Sequence, residues 1–271
     1  MSVQTLQKSL MVLPDLKDKV ALITGAGSGI GRAAAILLAQ QGMNLCLVDL
    51  KDDRLEQTKK EIELAGGKAI TVDIDISDPN SVEQAFEQAA KTLGRINFVF
   101  ANAGINGVLA PIENLNSEDW DRTLNVNLKG TFLCVKHAIP HMKEKGGSIV
   151  ITSSINGSRT FSGFGMTAYS ASKAAQIAFA KMAALELAQY KIRVNAICPG
   201  SIKTNIGENT QPTPELDKIK IPIKYPEGSQ PLEHAPGQPE QVANLVAFLA
   251  SDASNHITGT ELFIDGAESL L

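Results

Sequence analysis

Cysteine is scarce in this chain of 271 residues, and its scarcity excludes one large group of folds. The three cysteines, Cys46, Cys134 and Cys198, lie far apart, each within an apolar stretch. They can form neither the disulfide framework of a small secreted domain nor the paired spacing of a zinc site. We therefore predict buried, reduced thiols and a cytoplasmic protein.

Long apolar runs and runs of like charge are missing as well. No stretch reaches the roughly 18 apolar residues that a membrane helix needs, and the first residues show only a short apolar patch at 10–13. The formal net charge of -4 is spread along the chain, so we expect neither a nucleic-acid nor a membrane partner. With 44% hydrophobic residues, the chain favours a single domain at 17–271, preceded by an arm at 1–16.

What the chain does have is a regular alternation of short apolar runs and longer amphipathic segments. Runs bounded by Gly, Asp or Asn predict strands at 20–24, 44–49, 69–75, 96–104, 147–154, 193–200 and 261–266. Helical periodicity predicts helices at 30–41, 52–65, 79–93, 117–143, 168–189 and 239–250. This alternation indicates a doubly wound α/β fold, with a seven-stranded parallel sheet covered by helices on both faces.

One region interrupts the alternation. Between residues 205 and 238 the chain carries six prolines and few apolar periods, which predicts a long irregular excursion. Excursions of this length inside a compact domain are usually disordered or functional. We predict a substrate-covering lid at 205–238.

Four glycines within eight residues, in "TGAGSGIG" at 24–31, follow the first predicted strand and open the first predicted helix. Such a turn presents backbone N–H groups and the positive end of the helix dipole to an anion, and a pyrophosphate fits it. A tight turn without a ligand is the plainer alternative. The spacing is TGxxxGxG, with Gly25, Gly29 and Gly31 at its fixed positions.

An acidic residue follows this turn at the distance expected of a dinucleotide site. Asp49 ends the second predicted strand, close to the offset of about 20 residues at which a carboxylate accepts hydrogen bonds from the adenosine ribose hydroxyls. The same carboxylate would repel the 2′-phosphate of NADP. A merely solvated strand end is the alternative interpretation of Asp49.

Tyr169 and Lys173, in "AYSASKAA", lie four residues apart at the start of a predicted helix. Positions i and i+4 share a helix face, so the phenol and the ammonium can converge. A phenol with a pKa of about 10 is a poor base at neutral pH, and a nearby ammonium favours its phenolate. An exposed chance pair is the alternative, but Ser154 ends a predicted strand at the edge where open α/β sheets bind ligands.

These motifs together resemble the classical short-chain dehydrogenase/reductases from about residue 18 to the C-terminus. Three further motifs, "ANAG" at 101–104, "NVNLKGTF" at 125–132 and "PGSIKT" at 199–204, stand in the family's order. The first has Ala101 where the family usually has Asn. The resemblance implies a single-domain Rossmann-type fold and an oxidoreductase that acts on a secondary alcohol or its ketone.

The resemblance also implies a catalytic tetrad of Asn127, Ser154, Tyr169 and Lys173. Tyr169 would act as the general acid/base, and Ser154 would hydrogen-bond the substrate oxygen. Lys173 would hold the nicotinamide ribose and lower the tyrosine pKa, while Asn127 would order a water in the proton relay. Ser153 is a rival to Ser154, and the alignment of "SSINGS" with the family pattern favours Ser154.

The family pattern assigns ligand contacts as well. The implied cofactor contacts are Gly25, Ser28, Gly29, Ile30, Gly31, Asp49, Leu50, Asp75, Ile76, Asn102, Ala103, Gly104, Tyr169, Lys173, Pro199, Gly200, Ile202 and Thr204. The candidate substrate contacts are Ser154, Ile155, Asn156, Phe161, Met166, Tyr169 and Ser201, beside the lid. This wall is mostly apolar with scattered polar groups, so a cyclic alcohol, a sugar, a steroid, or an open-chain or acyl compound all stay open as substrates.

The positions around Asp49 favour NAD over NADP. Members of the family that prefer NADP usually have a basic residue just before the second motif glycine or just after the acidic position, where this chain has Ser28 and Leu50. Lys51, one position further on, keeps NADP open. We expect an NAD-dependent enzyme without a catalytic metal; the alternatives are an NADPH-dependent reductase of 3-oxoacyl thioesters and a non-catalytic NAD-binding sensor.

Three polar positions favour a plainer interpretation. Asn195, inside a predicted strand, is expected to satisfy backbone groups. His137 and His141 have a metal-compatible spacing, but no pattern for a third ligand accompanies them. The helices at 117–143 and 168–189 carry more small and apolar residues than one face would bury, and the resemblance implies that they pair between subunits of a homotetramer, with a dimer as the alternative.

Overall fold

The computed structural model describes residues 12–50, 53–222, 225 and 228–271. Several sequence predictions fall outside these residues: most of the N-terminal arm, Lys51, the first residue of the second predicted helix, and residues 223–224 and 226–227 of the predicted lid.

All strand pairs among the described residues are parallel. The strands are β1 Val20–Thr24, β2 Asn44–Asp49, β3 Lys68–Asp73, β4 Ile96–Ala101, β5 Gly107–Leu109, β6 Gly147–Thr152, β7 Ile192–Pro199, β8 Thr210–Pro212 and β9 Glu261–Ile264. Seven of them form one sheet in the order β3-β2-β1-β4-β6-β7-β9, and β5 pairs with β8 in a separate ribbon. The predicted seven-stranded parallel sheet is therefore confirmed.

Several strands end earlier than predicted. Strand β4 ends at Ala101 rather than at 104, and β6 ends at Thr152 rather than at 154. The reason is that the backbone leaves the ladder here to form loops at the carboxyl edge of the sheet, a change that the apolar pattern does not register. Asn102 and Ser154 thus lie in loops rather than in strands.

Helices cover both faces of the sheet. They are α1 Gly29–Gln40, α2 Asp53–Leu64, α3 Pro79–Leu93, α4 Ser117–Leu124, α5 Gly130–Met142, α6 Thr167–Leu187 and α7 Pro239–Ala250. The single helix predicted at 117–143 is wrong in one respect, because a π-helical segment at Asn125–Lys129 separates α4 from α5. Such segments insert one residue into a helix and are frequent at functional sites. None of the described helices has the length and hydropathy to cross a membrane.

The core consists of two layers, one on each face of the sheet. Neighbouring residues of β1 alternate between them, since Leu22 packs beneath α3, α5 and α6, whereas Ile23 packs beneath α1 and α7. Phe98 and Phe100, both fully buried, belong to the second layer. Burial of each such side chain stabilises the fold by about 1.5–3 kcal/mol, so the two layers fix the sheet that carries the loops.

The excursion predicted at 205–238 is more ordered than the prediction of an irregular segment allowed. Its first part holds the 3-10 turns Ile206–Asn209 and Pro214–Lys218 on either side of β8. Leu216 is buried, and a Cβ atom at Gly165 would lie 2.5 Å from its Cδ1. These contacts join residues far apart in the chain, which is why the local pattern did not indicate them.

Candidate active site

The site is a cleft of about 990 Å³ at the carboxyl edge of the sheet. Parallel strands end at one edge, so the loops that follow β1, β4, β6 and β7 meet there. The strand order changes direction between β1 and β4, and open α/β sheets bind ligands at such a switch point. The cleft is therefore where a ligand is expected.

The glycine turn forms one wall of the cleft. Gly25 and Gly29 have φ angles of +70° and +51°, which disfavour other residues. A Cβ atom at Gly27 would lie 3.0 Å from Asp49 Oδ2, and one at Gly31 would lie 2.0 Å from the Gly25 carbonyl oxygen. Side chains are thus excluded at these glycines, and the turn borders the cleft at the start of α1. This cradle fits the pyrophosphate of a dinucleotide.

Gly31 differs from the sequence expectation of a cofactor contact. It is buried and does not border the cleft, because it packs directly against the carbonyl of Gly25. Its role is to let α1 approach the turn closely. The other predicted cofactor contacts all border the cleft.

Asp49 is held in place by the backbone around it. Its Oδ2 accepts a hydrogen bond from the Gly27 N–H at 2.9 Å, and its Oδ1 accepts one from the Leu50 N–H at 2.9 Å. Carboxylate oxygens can accept more than one hydrogen bond. The group is therefore oriented toward the cleft edge and still able to accept from ribose hydroxyls.

Thr24, at the end of β1, ties the neighbouring strand ends together. Its Oγ1 accepts hydrogen bonds from the backbone N–H groups of Asn102, at 3.0 Å, and Ala103, at 3.1 Å. The Asn102 side chain donates to the Thr24 carbonyl at 3.1 Å and accepts from Thr152 Oγ1 at 3.0 Å. This network spans β1, β4 and β6 and includes both ends of the Asn102 side chain, so Ala101, where the family usually has Asn, leaves it in place.

Tyr169 and Lys173 are buried side by side on α6. Lys173 Nζ donates to the Thr152 carbonyl at 2.8 Å and lies 5.5 Å from the centre of the Tyr169 ring. Burial lowers the pKa of Lys173 to about 8. Burial also raises the pKa of Tyr169, while a hydrogen bond with Ser154 acts in the opposite direction. The lowering of the tyrosine pKa that the resemblance assigned to Lys173 is therefore not found in this structure, where burial dominates and the opposing effect comes from Ser154.

Ser153 and Ser154 have different partners. Ser153 Oγ donates to the Lys173 carbonyl at 2.8 Å, which anchors the start of α6 to the end of β6. Ser154 Oγ accepts from the Asn156 N–H at 3.1 Å and lies next to Tyr169. This arrangement favours Ser154 over Ser153 as the group beside the phenol.

Asn127 lies in the π-helical segment and is fully buried. Its Oδ1 accepts from the Ile105 N–H at 2.9 Å, and its Nδ2 donates to the Ile105 carbonyl at 2.9 Å. The Asn127 carbonyl accepts from Thr131 Oγ1 at 2.7 Å and from Gln176 Nε2 at 2.8 Å. Protein groups therefore already occupy both ends of the side chain and the carbonyl.

The contacts of Asn127 indicate that it supports the loop after β4. They favour this role over the ordering of a water, which the resemblance implied. Asn127 does not border the cleft. A Cβ atom at Gly104 would lie 3.0 Å from Asn127 Oδ1 and 3.5 Å from Lys173 Nζ. Asn127 thus holds the loop after β4 against the buried ammonium.

The cleft also includes residues that sequence reasoning missed. They include Arg54, Ile105, Asn106, Glu118, Arg122, Thr152 and Glu268, whereas Glu208 belongs to the predicted lid. Glu268 Oε2 accepts from the Ser201 N–H at 2.7 Å and from Gln230 Nε2 at 3.1 Å. Its place just after the last strand, at the carboxyl edge of the sheet, was a usable signal. Phe161, in contrast, is 72% exposed and does not border the cleft.

The polar positions set aside in the sequence have structural partners. Asn195 donates to the Ile257 carbonyl at 2.8 Å and accepts from the Thr260 N–H at 3.3 Å, which confirms its backbone role. His137 and His141 lie beside the Phe86 ring, at centroid distances of 6.5 and 6.2 Å. Within the described ranges, no group of three His, Cys, Asp or Glu side chains is placed to hold a metal ion.

A glycine turn between β1 and α1, an acidic end of β2 and a buried tyrosine–lysine pair at one switch-point cleft define a Rossmann-type nicotinamide oxidoreductase. Comparison with known proteins agrees. A family profile described as enoyl-(acyl carrier protein) reductase matches residues 25–267. The chain belongs to the short-chain dehydrogenase/reductase family, whose members are oxidoreductases that use a nicotinamide cofactor.

Relatives with different activities are similar to the chain at comparable levels. The 3-oxoacyl-[acyl-carrier-protein] reductase FabG of Thermotoga maritima is 39% identical over 252 residues, covering 93% of this chain and 98% of that protein. A cyclohexanol dehydrogenase of an Acinetobacter species is 38% identical over 251 residues, covering 92% and 94%. Similarity alone therefore leaves the substrate open.

Solved structures show the same fold over nearly the whole chain. A 3-ketoacyl-ACP reductase from Sinorhizobium meliloti superposes with a TM-score of 0.87 at 44% identity, covering 93% of this chain and 99% of that chain. A levodione reductase superposes with a TM-score of 0.83 at 34% identity, covering 94% and 98%. The single Rossmann-like domain is thus common to all of them.

Proposed function

We propose that the chain is an NAD(H)-dependent oxidoreductase that interconverts a secondary alcohol and its ketone, with Tyr169 as the general acid/base. The observation that carries this proposal is the burial of Tyr169 and Lys173 together at one cleft, whose other end is formed by the glycine turn and Asp49. A titratable phenol beside a buried ammonium has no evident structural use, whereas it suits proton transfer to a substrate oxygen.

The proposed cofactor position follows the cleft from end to end. The glycine turn binds the pyrophosphate, and Asp49 binds the adenosine ribose, next to Asp75 and Ile76 at the adenine. Residues 102–104 border the middle of the cleft, and Pro199, Gly200, Ile202 and Thr204 would flank the nicotinamide. The bound nicotinamide supplies the hydride chemistry, and the protein supplies orientation.

The chain's own residues move the proton. Ser154 holds the substrate oxygen next to the Tyr169 hydroxyl, which takes up or releases the proton at that oxygen. Lys173 lies beside the phenol, with its ammonium 5.5 Å from the centre of the Tyr169 ring, and would hold the nicotinamide ribose. Its hydrogen bond to Thr152 fixes the ammonium at this place.

Substitution of Tyr169 by Phe tests the assignment. We expect turnover to fall by roughly 10²–10⁴-fold, the usual contribution of a general acid/base, with NADH affinity unchanged. The matched control is Tyr190→Phe, which removes the same hydroxyl from a residue outside the cleft. Initial rates on a panel of secondary alcohols, sugars and ketones, together with NADH titrations, provide the measurements. A Tyr169→Phe protein that keeps wild-type rates contradicts the proposal.

A second candidate is an NADPH-dependent reductase of 3-oxoacyl thioesters. It is favoured by the names of two similar proteins, the Thermotoga maritima reductase and the Sinorhizobium meliloti structure. Asp49 argues against it because a carboxylate repels a 2′-phosphate. Rates with a 3-oxoacyl thioester and NADPH, measured beside rates with secondary alcohols and NAD, separate the two; tight NAD binding without any turnover would instead favour the sensor.

We also propose that the chain forms a homotetramer through α5 and α6. Phe132, Met182 and Leu185 are 44%, 56% and 72% exposed, and Phe132 meets Phe179 edge to face at 6.3 Å. An apolar surface on two neighbouring helices is well suited to a second copy of the chain.

We propose a cytoplasmic location for the protein as well. Its three cysteines are free and buried, as expected of thiols in a reducing compartment.

A further inference from the structure

An ion pair lies across the adenosine end of the cleft. Arg54, at the start of α2, donates through Nη1 to Glu208 Oε2 at 2.7 Å. Both residues border the cleft, and their side chains are 42% and 54% exposed. An ion pair this exposed contributes little to folding stability. Because both partners border the cleft, it can instead affect the binding of a ligand there.

The Cβ atom of Arg54 lies close to the Asp49 carboxylate, which is proposed to bind the ribose. The Cβ position built on Gly27 lies 3.0 Å from Asp49 Oδ2 and 3.6 Å from Arg54 Cβ. A guanidinium can bind a phosphate through two parallel hydrogen bonds. The Arg54 side chain therefore starts near the place where the 2′-phosphate of NADP would bind, and its guanidinium could reach that phosphate.

Glu208 holds that cation from the other side of the cleft. It belongs to the turn Ile206–Asn209 of the excursion. Its second oxygen, Oε1, accepts from Asn205 Nδ2 at 2.7 Å, and Thr210 Oγ1 donates to the Ile206 carbonyl at 3.0 Å. The carboxylate is thus oriented by its own turn, which continues into β8.

We propose that Glu208 is a second determinant of cofactor selectivity, which acts from the lid by binding Arg54 and thereby denying the guanidinium to the 2′-phosphate of NADP. Glu208 also adds negative charge near Asp49, which disfavours the phosphate further. The inference rests on the proposed function, since it takes the Asp49 end as the ribose site. It extends that function by making discrimination between NAD and NADP depend on the excursion as well as on β2.

The test is the binding of NADH and NADPH to Glu208→Gln, measured by titration calorimetry without any substrate. We expect the dissociation constant for NADPH to fall about tenfold, as a charge-assisted contact becomes available, and that for NADH to change less than twofold. In the double variant Glu208→Gln, Arg54→Gln, the gain for NADPH should disappear. Lys51→Gln in the Glu208→Gln background should leave the gain in place.

Asp217→Asn is the matched control. It removes another ion pair of the excursion, with Lys220 at 2.7 Å, whose partners do not border the cleft. We expect it to leave both dissociation constants unchanged.

Two outcomes would overturn the proposal: equal shifts for NADH and NADPH in Glu208→Gln, or a gain for NADPH that persists without Arg54. The proposed NAD preference fails separately, because it is contradicted if the wild-type protein binds NADPH more tightly than NADH. The effect of Glu208 on the ratio of the two constants is measured in either case.

Discussion

Lys173 shows, at the scale of one residue, how this site keeps an ammonium away from water. Its side chain is 3% exposed, and burial is the main reason why its pKa falls from 10.5 to about 8. The hydrogen bond to the Thr152 carbonyl compensates only part of the lost hydration. Burial of a charge costs stability, and groups with such shifts are concentrated at functional sites.

This cost predicts a pH-dependent stability difference between the wild-type protein and Lys173→Met. The pKa of Lys173 is lower in the folded state than in the unfolded state, so between pH 8 and 10.5 the unfolded state binds more protons. Folding stability therefore rises with pH in this window, and Lys173→Met lacks that rise. Urea unfolding at pH 7 and pH 10 should show wild type gaining about 2–3 kcal/mol relative to the variant. A difference that stays constant with pH contradicts the burial of a titrating ammonium.

Local rules found the residues that share an element. Tyr169 and Lys173, four residues apart, were predicted to share one face of a helix. Because open α/β sheets bind ligands at the carboxyl ends of their strands, Ser154 was predicted to lie in the same site. Contacts between distant segments left no local trace: Arg54 and Glu208 are separated by 154 positions, yet they form an ion pair. Phe161 was wrongly expected at the cleft, because the loop after β6 has no periodicity that fixes its direction.

At the scale of elements, the π-helical segment and the excursion are two departures from the regular alternation of strands and helices. Seven strands were predictable because their apolar runs are short and bounded by Gly, Asp or Asn; most residues of β1, β2, β4, β6 and β7 are buried, whereas β3 and β9 at the sheet edges are partly exposed. The segment Asn125–Lys129 was not predictable, since one extra helical residue changes the apolar periodicity too little to be seen. The excursion was recognised from its prolines, but β8 is only three residues long and depends on β5 for its hydrogen bonds.

Leu216 is expected to fix the excursion to the rest of the fold. Leu216→Ala removes a buried side chain that packs against Gly165, a change that typically costs 2–5 kcal/mol when the structure cannot relax. We expect the loss to appear locally, as faster proteolysis within residues 205–238 and a several-fold higher KM for the substrate, with NADH affinity nearly unchanged.

Leu232→Ala is the control for this variant, because Leu232 lies in the same excursion but is 75% exposed. Limited proteolysis followed by mass spectrometry locates the cleavage sites. Equal protection of Leu216→Ala, Leu232→Ala and the wild type contradicts an anchoring role for Leu216.

At the scale of the whole molecule, the apolar surface on α5 and α6 predicts the assembly state. Leu185→Glu places a charge in that surface and should reduce the mass in solution from about four times 28.8 kDa to a smaller assembly. Leu64→Glu is the control, since Leu64 is 88% exposed on α2, away from those helices. Size-exclusion chromatography with light scattering gives the masses. A wild-type mass of 28.8 kDa contradicts the tetramer.

The contact between Glu268 and Ser201 affects the order in which the parts of the cleft can form during synthesis. Strands β1 to β4, with the glycine turn and Asp49, precede β9 in the chain and leave the ribosome before it. The loop that follows β7 has to wait for β9 and for Glu268, which come later in the chain. This part of the cleft therefore forms only after β9 has been made, and a chain interrupted before β9 would carry the glycine turn without it.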